Sequence, residues 1–414
     1  MIRTPDPGRP LRWFTCTPVA FGGGPDFFAR DSGLLCRGFQ ALGIESRAVM
    51  PLPGGANDEA DLIRTDYANL ESAAWWRSQQ LDGVVLYAWG RPKFRKVAAA
   101  IHEAGVPLVL NQDNGGLISP LCGLREWLRE QWILSGQGRG AAARARFAWQ
   151  VLRGLTIGLV ATDPLRAAHL KQGDRIACVS PKAAASYRRW CRIYGGRELA
   201  ERVRVLPHAV EPRFRWQGEA KRRQVACVGR WGDEVQKRPG LLMAVVDTLL
   251  AADARVTVVI AGERTPGLEA WHRGLDQARR ARVELAGRLE RAALVSLFAT
   301  SRVFYSPSAF ESFGIAAAEA LCCGCSVVAT RSVSMAPFEW FVAEDSGVLA
   351  EVDDPVGLAR VLMGELDAWE SGRREAARIS AVWAGRLHAD RVAARVISDL
   401  EAGDGSGASS GGRD

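Results

Sequence analysis

Short apolar runs alternate along the chain with longer stretches in which apolar positions recur at helical spacing. The short runs read as buried strands: Leu11 to Thr17, Ile44 to Met50, Gly83 to Tyr87, Val106 to Leu110, Ile176 to Val179 and Val203 to Leu206. A second series follows at Gln224 to Val228, Arg255 to Ala261, Val283 to Ala286, the run ending Val303-Phe304-Tyr305, and Ser326 to Ala329. Strand and helix in alternation predict an α/β protein with parallel, doubly wound sheets. A chain of 414 residues holds two such domains, each with its own core. The expected limits are 1–206 and 207–373, then a helix over 374–400 that crosses back to the first domain, and a Gly/Ser-rich disordered tail over 401–414.

The most informative stretch runs from Tyr305 to Thr330 and reads strand, loop, helix, strand. Ser306-Pro307-Ser308 breaks the first strand, and Glu311-Ser312-Phe313-Gly314 leads into the alanine-rich run from Ile315 to Cys323. A helix start behind a strand is an anion site, with N–H groups at Phe313, Gly314 and Ile315 and the helix dipole behind them. Glu311 in the loop and Glu319 in the helix frame it. This suits a sugar nucleotide, whose diphosphate takes the N–H groups while the carboxylates accept from hydroxyls. Plain dipole chemistry for Glu311 and a solvated helix face for Glu319 are the other reading.

Two further stretches carry chemistry. Phe21-Gly22-Gly23-Gly24-Pro25 joins the first strand to a helix from Asp26 to about Leu42, and lets backbone approach a ligand closely. Its contiguous glycines are not a dinucleotide fingerprint. Gly229-Arg230 follows the first strand of the second series, and Lys237 comes after a loop, just before Pro239-Gly240 and a helix. Arg230 and Lys237 can converge on a diphosphate, one by a fork and the other as a point charge.

Composition narrows the field. The net charge is +8, almost all of it arginine, since only six residues are lysine. That balance allows nucleic acid, a membrane or an anionic substrate as partner, but no nucleic-acid module is visible. The nine cysteines show no framework spacing, and Cys322, Cys323 and Cys325 read as small packing residues rather than zinc ligands. No apolar run spans a bilayer and no signal-peptide core follows the N-terminus, so the expected location is the cytoplasm. Residues 121–155, with six arginines among tryptophans and leucines, lie either on the inner face of a membrane or as a buried face over an acceptor cleft. Gly136, Gly138 and Gly140 split them into two helices, which favours the cleft.

The pattern Glu311, Phe313, Gly314, Glu319, Ala320, Gly324 resembles glycosyltransferase family 4. These are retaining enzymes of GT-B architecture, with two Rossmann-like domains facing across a cleft. The resemblance is strongest from Val225 to about Asp354. It implies hexosyl transfer from a nucleotide-diphosphate sugar to a hydroxyl acceptor, whether glycan, lipid-linked or small molecule. It places Arg230 and Lys237 on the donor diphosphate, Glu319 on the ribose and Glu311 near the transferred sugar. Gly23, Gly24, Gly229 and Gly262 fall where the family has donor-side loops. Neither cofactor nor metal is expected; Arg230, Lys237 and the helix start would stabilise the leaving group, and no Asp-x-Asp motif is seen.

The chain departs from the family in three places. His208-Ala209 stands where Asn-Gly is usual in the interdomain linker, and His208 reads as a linker residue rather than a catalytic base. Arg331-Ser332-Val333-Ser334 replaces paired glycines. Asn111-Gln112-Asp113 ends a strand where the family often has histidine, with none of the five histidines expected nearby, so Gln112 or Asp113 would orient acceptor or sugar. A non-hydrolysing nucleotide-sugar epimerase and an inactive sugar-nucleotide-binding module are the alternative functions.

Overall fold

A computed structural model describes residues 9–137, 140–343 and 345–404, with side chains of the last helix described as far as Leu400. Most of the expected tail, and Gly138, lie outside the described residues. The chain forms two compact units. The first comprises Met1–Leu128, Trp149–Glu211 and His388–Asp414, and the second Arg129–Ala148 and Pro212–Leu387.

The first unit is built on β1 (Trp13–Cys16), β2 (Ala48–Pro51), β3 (Leu62–Thr65), β4 (Gly83–Tyr87), β5 (Leu108–Gln112), β6 (Arg175–Cys178) and β7 (Val203–Val205). All pair in parallel, in the order β3-β2-β1-β4-β5-β6-β7. Side-chain alternation along each strand assigns its residues to one of two cores. Phe14, Val84, Leu86, Leu108 and Leu110 pack on one face with Trp76, Ile101 and Trp190. Trp13, Val85, Tyr87 and Val109 pack on the other, with Leu34, Phe39, Val392 and Val396.

The second unit is built on β8 (Arg222–Gly229), β9 (Thr257–Gly262), β10 (Val283–Gly287), β11 (Ser301–Ser306), β12 (Ser326–Thr330) and β13 (Gly347–Ala350). These too are parallel, in the order β10-β9-β8-β11-β12-β13. The cysteine cluster is packing material. Cys322, Cys323 and Cys325 are fully buried, and the Cys325 thiol points at the carbonyls of Phe298 and Ser301, 3.0 and 3.2 Å away.

Several expected elements differ. Two edge strands, β3 and β13, lie outside the expected set; in β3 the edge position leaves Leu62, Ile63 and Arg64 only half-buried. The helix expected from Asp26 is two helices, Pro25–Phe28 and Asp31–Ala41, broken where Asp31 takes a φ of 50°. The units divide after Glu211, not at 206. The segment expected to form one returning helix forms two: Ala376–Leu387 belongs to the second unit, and Ala389–Asp404 packs on the first. Its apolar face fits there because Gly38 of helix Asp31–Ala41 carries no side chain; a Cβ would lie 2.2 Å from the Ala389 carbonyl oxygen. The basic, aromatic stretch forms helices Leu124–Leu134 and Ala141–Arg153, and Trp132, Trp149 and Leu152 are exposed rather than part of a buried face.

Candidate functional site

In the second sheet the chain leaves β8, builds β9 and β10 on one side, then returns to place β11 on the other. The loops after β8 and β11 therefore part at the carboxyl ends of neighbouring strands, the crevice where open α/β sheets bind ligands. Both basic residues and both acids singled out by the sequence lie on these loops or on the helix that follows them.

Glycine shapes the crevice floor. Gly229 and Gly262 end β8 and β9 side by side, and a Cβ on Gly262, whose φ is 128°, would lie 1.9 Å from the Gly229 carbonyl oxygen. Gly314 opens helix Ile315–Cys322 at a φ of 88°, under the Phe338 ring, which a Cβ would meet at 2.7 Å. Phe313 is buried against Phe341, so its side chain anchors the loop while the first-turn N–H groups lie at the helix start.

Lys237 and Glu311 form an ion pair, both largely buried. The same carboxylate accepts from the Ser308 hydroxyl at 2.8 Å and from the Gln236 amide at 3.3 Å, while the Glu311 N–H donates to the Ser334 carbonyl at 2.9 Å. Arg230 is the exposed member of the set. Its side chain is 75% exposed and donates to the Gln236 amide oxygen at 3.0 Å. Glu319 is not on a solvated face. It is 3% exposed, and its carboxylate accepts from Arg291 at 2.8 Å; the Arg291 guanidinium in turn sits 4.6 Å from the centre of the Phe214 ring.

Arg238 is a residue the sequence reading passed over. It stands at a φ of 48° and is 7% exposed, and its guanidinium donates to the carbonyl of Pro307 at 2.5 Å and to Asp353 at 2.6 and 2.8 Å. It ties the β8 loop to the β11 loop and so positions Lys237 beside Glu311. Nothing in a lone Lys-Arg-Pro marks it, since its partners lie 69 and 115 residues on. Ser308 had a local signal, three residues before Glu311.

In the first unit, the Gly23 N–H is already donated to the Asp58 carboxylate at 3.0 Å, and Gly24 precedes the short helix Pro25–Phe28. Arg64 and the Gly55 and Gly23 N–H groups hold the Asp58 carboxyl well below the usual carboxylate range. Gln112 is fully buried; its amide donates to the Leu110 carbonyl at 3.2 Å and accepts from the Tyr187 hydroxyl at 3.1 Å. A side chain so enclosed holds β5 and does not face an acceptor.

Asp113 is different, and here the expectation of no nearby histidine is wrong. His208, 2% exposed, brings Nε2 to 3.0 Å from the Asp113 carboxylate and Nδ1 to 3.6 Å from that of Asp31. The loop after β7 folds over the carboxyl ends of β6 and β5, a closeness that residues 95 positions apart cannot announce. Burial alone would push the imidazole pKa down, but Asp113, and then Asp31, outweigh it and carry it up to about 9.

Two parallel-sheet α/β units of this kind define the GT-B glycosyltransferase fold. Residues 222–366, about a third of the chain, match the family described as glycosyl transferases group 1. That span contains every residue of the β8/β11 crevice described above except Phe214. Similar solved structures include HepE of Anabaena in complex with UDP-glucose, 15% identical at a TM-score of 0.56 over 94% of this chain and 99% of that one. The α,α-trehalose 6-phosphate synthase of Burkholderia multivorans is 14% identical at a TM-score of 0.61, over 98% and 100% of the two chains. A putative UDP-N-acetylglucosamine 2-epimerase of Listeria monocytogenes is 11% identical at 0.57, over 96% and 98%. At such identities the likeness is one of fold. No curated protein is matched by the sequence.

Proposed function

We propose that this protein is a retaining glycosyltransferase that moves a hexosyl group from a nucleotide-diphosphate sugar to a hydroxyl acceptor. The observation that carries this reading is the convergence of Arg230, Lys237, Glu311 and the helix start at Gly314 on the β8/β11 crevice, inside the span matched by the glycosyl transferase family. The solved neighbour with UDP-glucose supports a nucleotide sugar as donor.

In the proposed reaction the bond from the anomeric carbon to the diphosphate breaks, and its electron pair goes to the departing β-phosphate oxygen. The acceptor oxygen bonds to the anomeric carbon on the same face, and its proton passes to that phosphate oxygen. Negative charge builds on the diphosphate, where Lys237, Arg230 and the helix N–H groups of Phe313, Gly314 and Ile315 stabilise it, the term that usually dominates such catalysis. Lys237 then shares its ammonium between Glu311 and the phosphate, while Glu311 is the carboxylate that turns toward sugar hydroxyls. Glu319, held by Arg291, is assigned to the nucleoside ribose. Gly229 and Gly262 leave room for the nucleotide, and Gly23 and Gly24 stay on the donor side as backbone. Asp113, held by His208, is assigned to the acceptor or sugar.

The test is incubation of the purified chain with a panel of nucleotide sugars in EDTA, with and without hydroxyl acceptors. Nucleoside diphosphate should be released, and proton NMR of the product should show the donor's anomeric configuration. Inversion would remove the retaining mechanism. Loss of turnover in EDTA, restored by magnesium or manganese, would overturn the metal-free leaving-group account. The fold shared with a putative epimerase keeps a second reading, which predicts epimerised sugar nucleotide without acceptor. Donor binding with no turnover of any kind would mark an inactive binding module.

A further inference from the structure

The segment after helix Ala141–Arg153 carries a surface that the transfer reaction does not use. From Ala141 to Thr162 the sequence has three arginines, Arg144, Arg146 and Arg153, and no acidic residue. The helix runs on without a break into a wider, π-type turn over Gly154–Thr162, a stretch with no charge at all. Trp149, Leu152, Leu155, Ile157 and Val160 are 43 to 80% exposed along it.

Other residues of the stretch from Trp149 onward are seated within the first unit. A Cβ on Gly154 would lie 2.4 Å from the Trp127 indole, and the Leu159 carbonyl accepts from the Tyr194 hydroxyl at 3.4 Å. Five large apolar side chains are thus held outward on a seated helix. Exposed apolar side chains gathered this densely along one helix mark an interaction site, where singly scattered ones need no explanation.

We propose that this face lies on an anionic lipid surface. A helix that exposes apolar side chains beside arginine, with no acid among them, is suited to the membrane interface. Trp149 matches headgroup depth, the aliphatic side chains reach the acyl boundary, and Arg146 and Arg153 meet lipid phosphates. Among the described residues no helix is long and apolar enough to cross a membrane, so the contact is peripheral. Charge disfavours a second copy of this chain as the occupant, because both faces would bring arginine and no acid. The inference is independent of the transfer reaction, and its test needs no turnover.

The full chain is sedimented with vesicles of phosphatidylcholine alone and of phosphatidylcholine containing about a third phosphatidylglycerol. Binding is expected to the anionic vesicles, to weaken with salt, and to fall at least about tenfold in the variant Leu152→Ser/Ile157→Ser/Val160→Ser. Arg146→Glu/Arg153→Glu should lose the anionic preference. Circular dichroism and thermal shift with UDP report whether the variants stay folded. Failure of the unaltered chain to sediment with anionic vesicles, or equal sedimentation of the folded triple variant, overturns the proposal. A triple variant that converts a dimer to a monomer without changing lipid binding overturns it in favour of self-association. Release of nucleoside diphosphate from a soluble donor is read separately, so either idea can fail alone.

Discussion

Lys237 and Glu311 neutralise each other in a crevice otherwise suited to an anion, so each can be removed with a distinct consequence. Lys237→Ala takes away a charge-assisted bond to the diphosphate and should weaken UDP binding by about 2 kcal/mol, roughly thirtyfold in Kd. Unchanged affinity by calorimetry would mean that Lys237 serves Glu311 alone. Glu311→Gln should mainly lower kcat, because its contact tightens as the sugar departs, whereas Glu319→Gln should mainly raise donor KM. Glu319 is buried against Arg291, so Glu319→Gln should also cost about 1–3 kcal/mol of stability, a penalty a solvated position would not show. Matching kinetic defects in the two variants would end this division of labour.

His208 gives a pH signature at the same scale. Its folded pKa, about 9, lies above the ordinary histidine value, so its protonation stabilises the fold fully below about 6.5. That contribution is lost as pH rises through about 9. Asp113, Asp31 and Arg30 are the charged groups facing it, and the Tyr87 hydroxyl stays neutral because burial raises its pKa. Urea melts between pH 6 and 9.5 should show falling stability, and His208→Gln should flatten the slope. Equal slopes in the two proteins would refute the pairing.

At the scale of elements, the crevice depends on where strands and helices stop. Gly262→Ala sets a Cβ against the Gly229 carbonyl, backbone that cannot swing aside, and does so at a positive φ. The second unit should lose about 2 kcal/mol, and donor affinity should fall with it. Gly240, with nothing near its Cβ position in helix Pro239–Ala252, is the control. Gly240→Ala should be neutral or slightly stabilising. Thermal melts of the two variants that agree would show that the β8/β9 floor tolerates a side chain.

At the scale of the whole molecule, the last helix completes a core begun some 350 residues earlier. Val392, Ala393, Val396 and Leu400 pack with Leu34, Leu35 and Phe39 over the Val85 and Val109 face of the first sheet. Each large apolar side chain there contributes about 1.5–3 kcal/mol by burial, so a chain ending at Leu387 should leave the first unit unable to hold its sheet. Calorimetry should show one transition lost and that of the second unit kept. Retention of both would mean that the helix only covers a core already sufficient.

Strand identity was written in local composition. Gly83 to Tyr87 and Ser326 to Ala329 are apolar runs too short for helices, with glycine or polar residues around them, and every such run became a parallel strand, fully buried in these two and only partly so in the edge strand β10. The loop chemistry of Glu311 to Gly314 and of Gly229-Arg230 was legible for the same reason: glycine, proline and charge at loop positions act on the backbone within a few residues. Pairings across the chain were not legible. Lys237 meets Glu311 across 74 residues, Arg238 meets Asp353 across 115, and His208 reaches Asp113 only because β5, β6 and β7 are neighbours in the sheet. Burial of Glu319 and the fate of the Gly23 N–H belong to the same class. Local sequence determines the backbone states a few residues can adopt, while the order in which strands pair decides which charges share a dry space, and that order is set by the packing of both faces of each sheet at once.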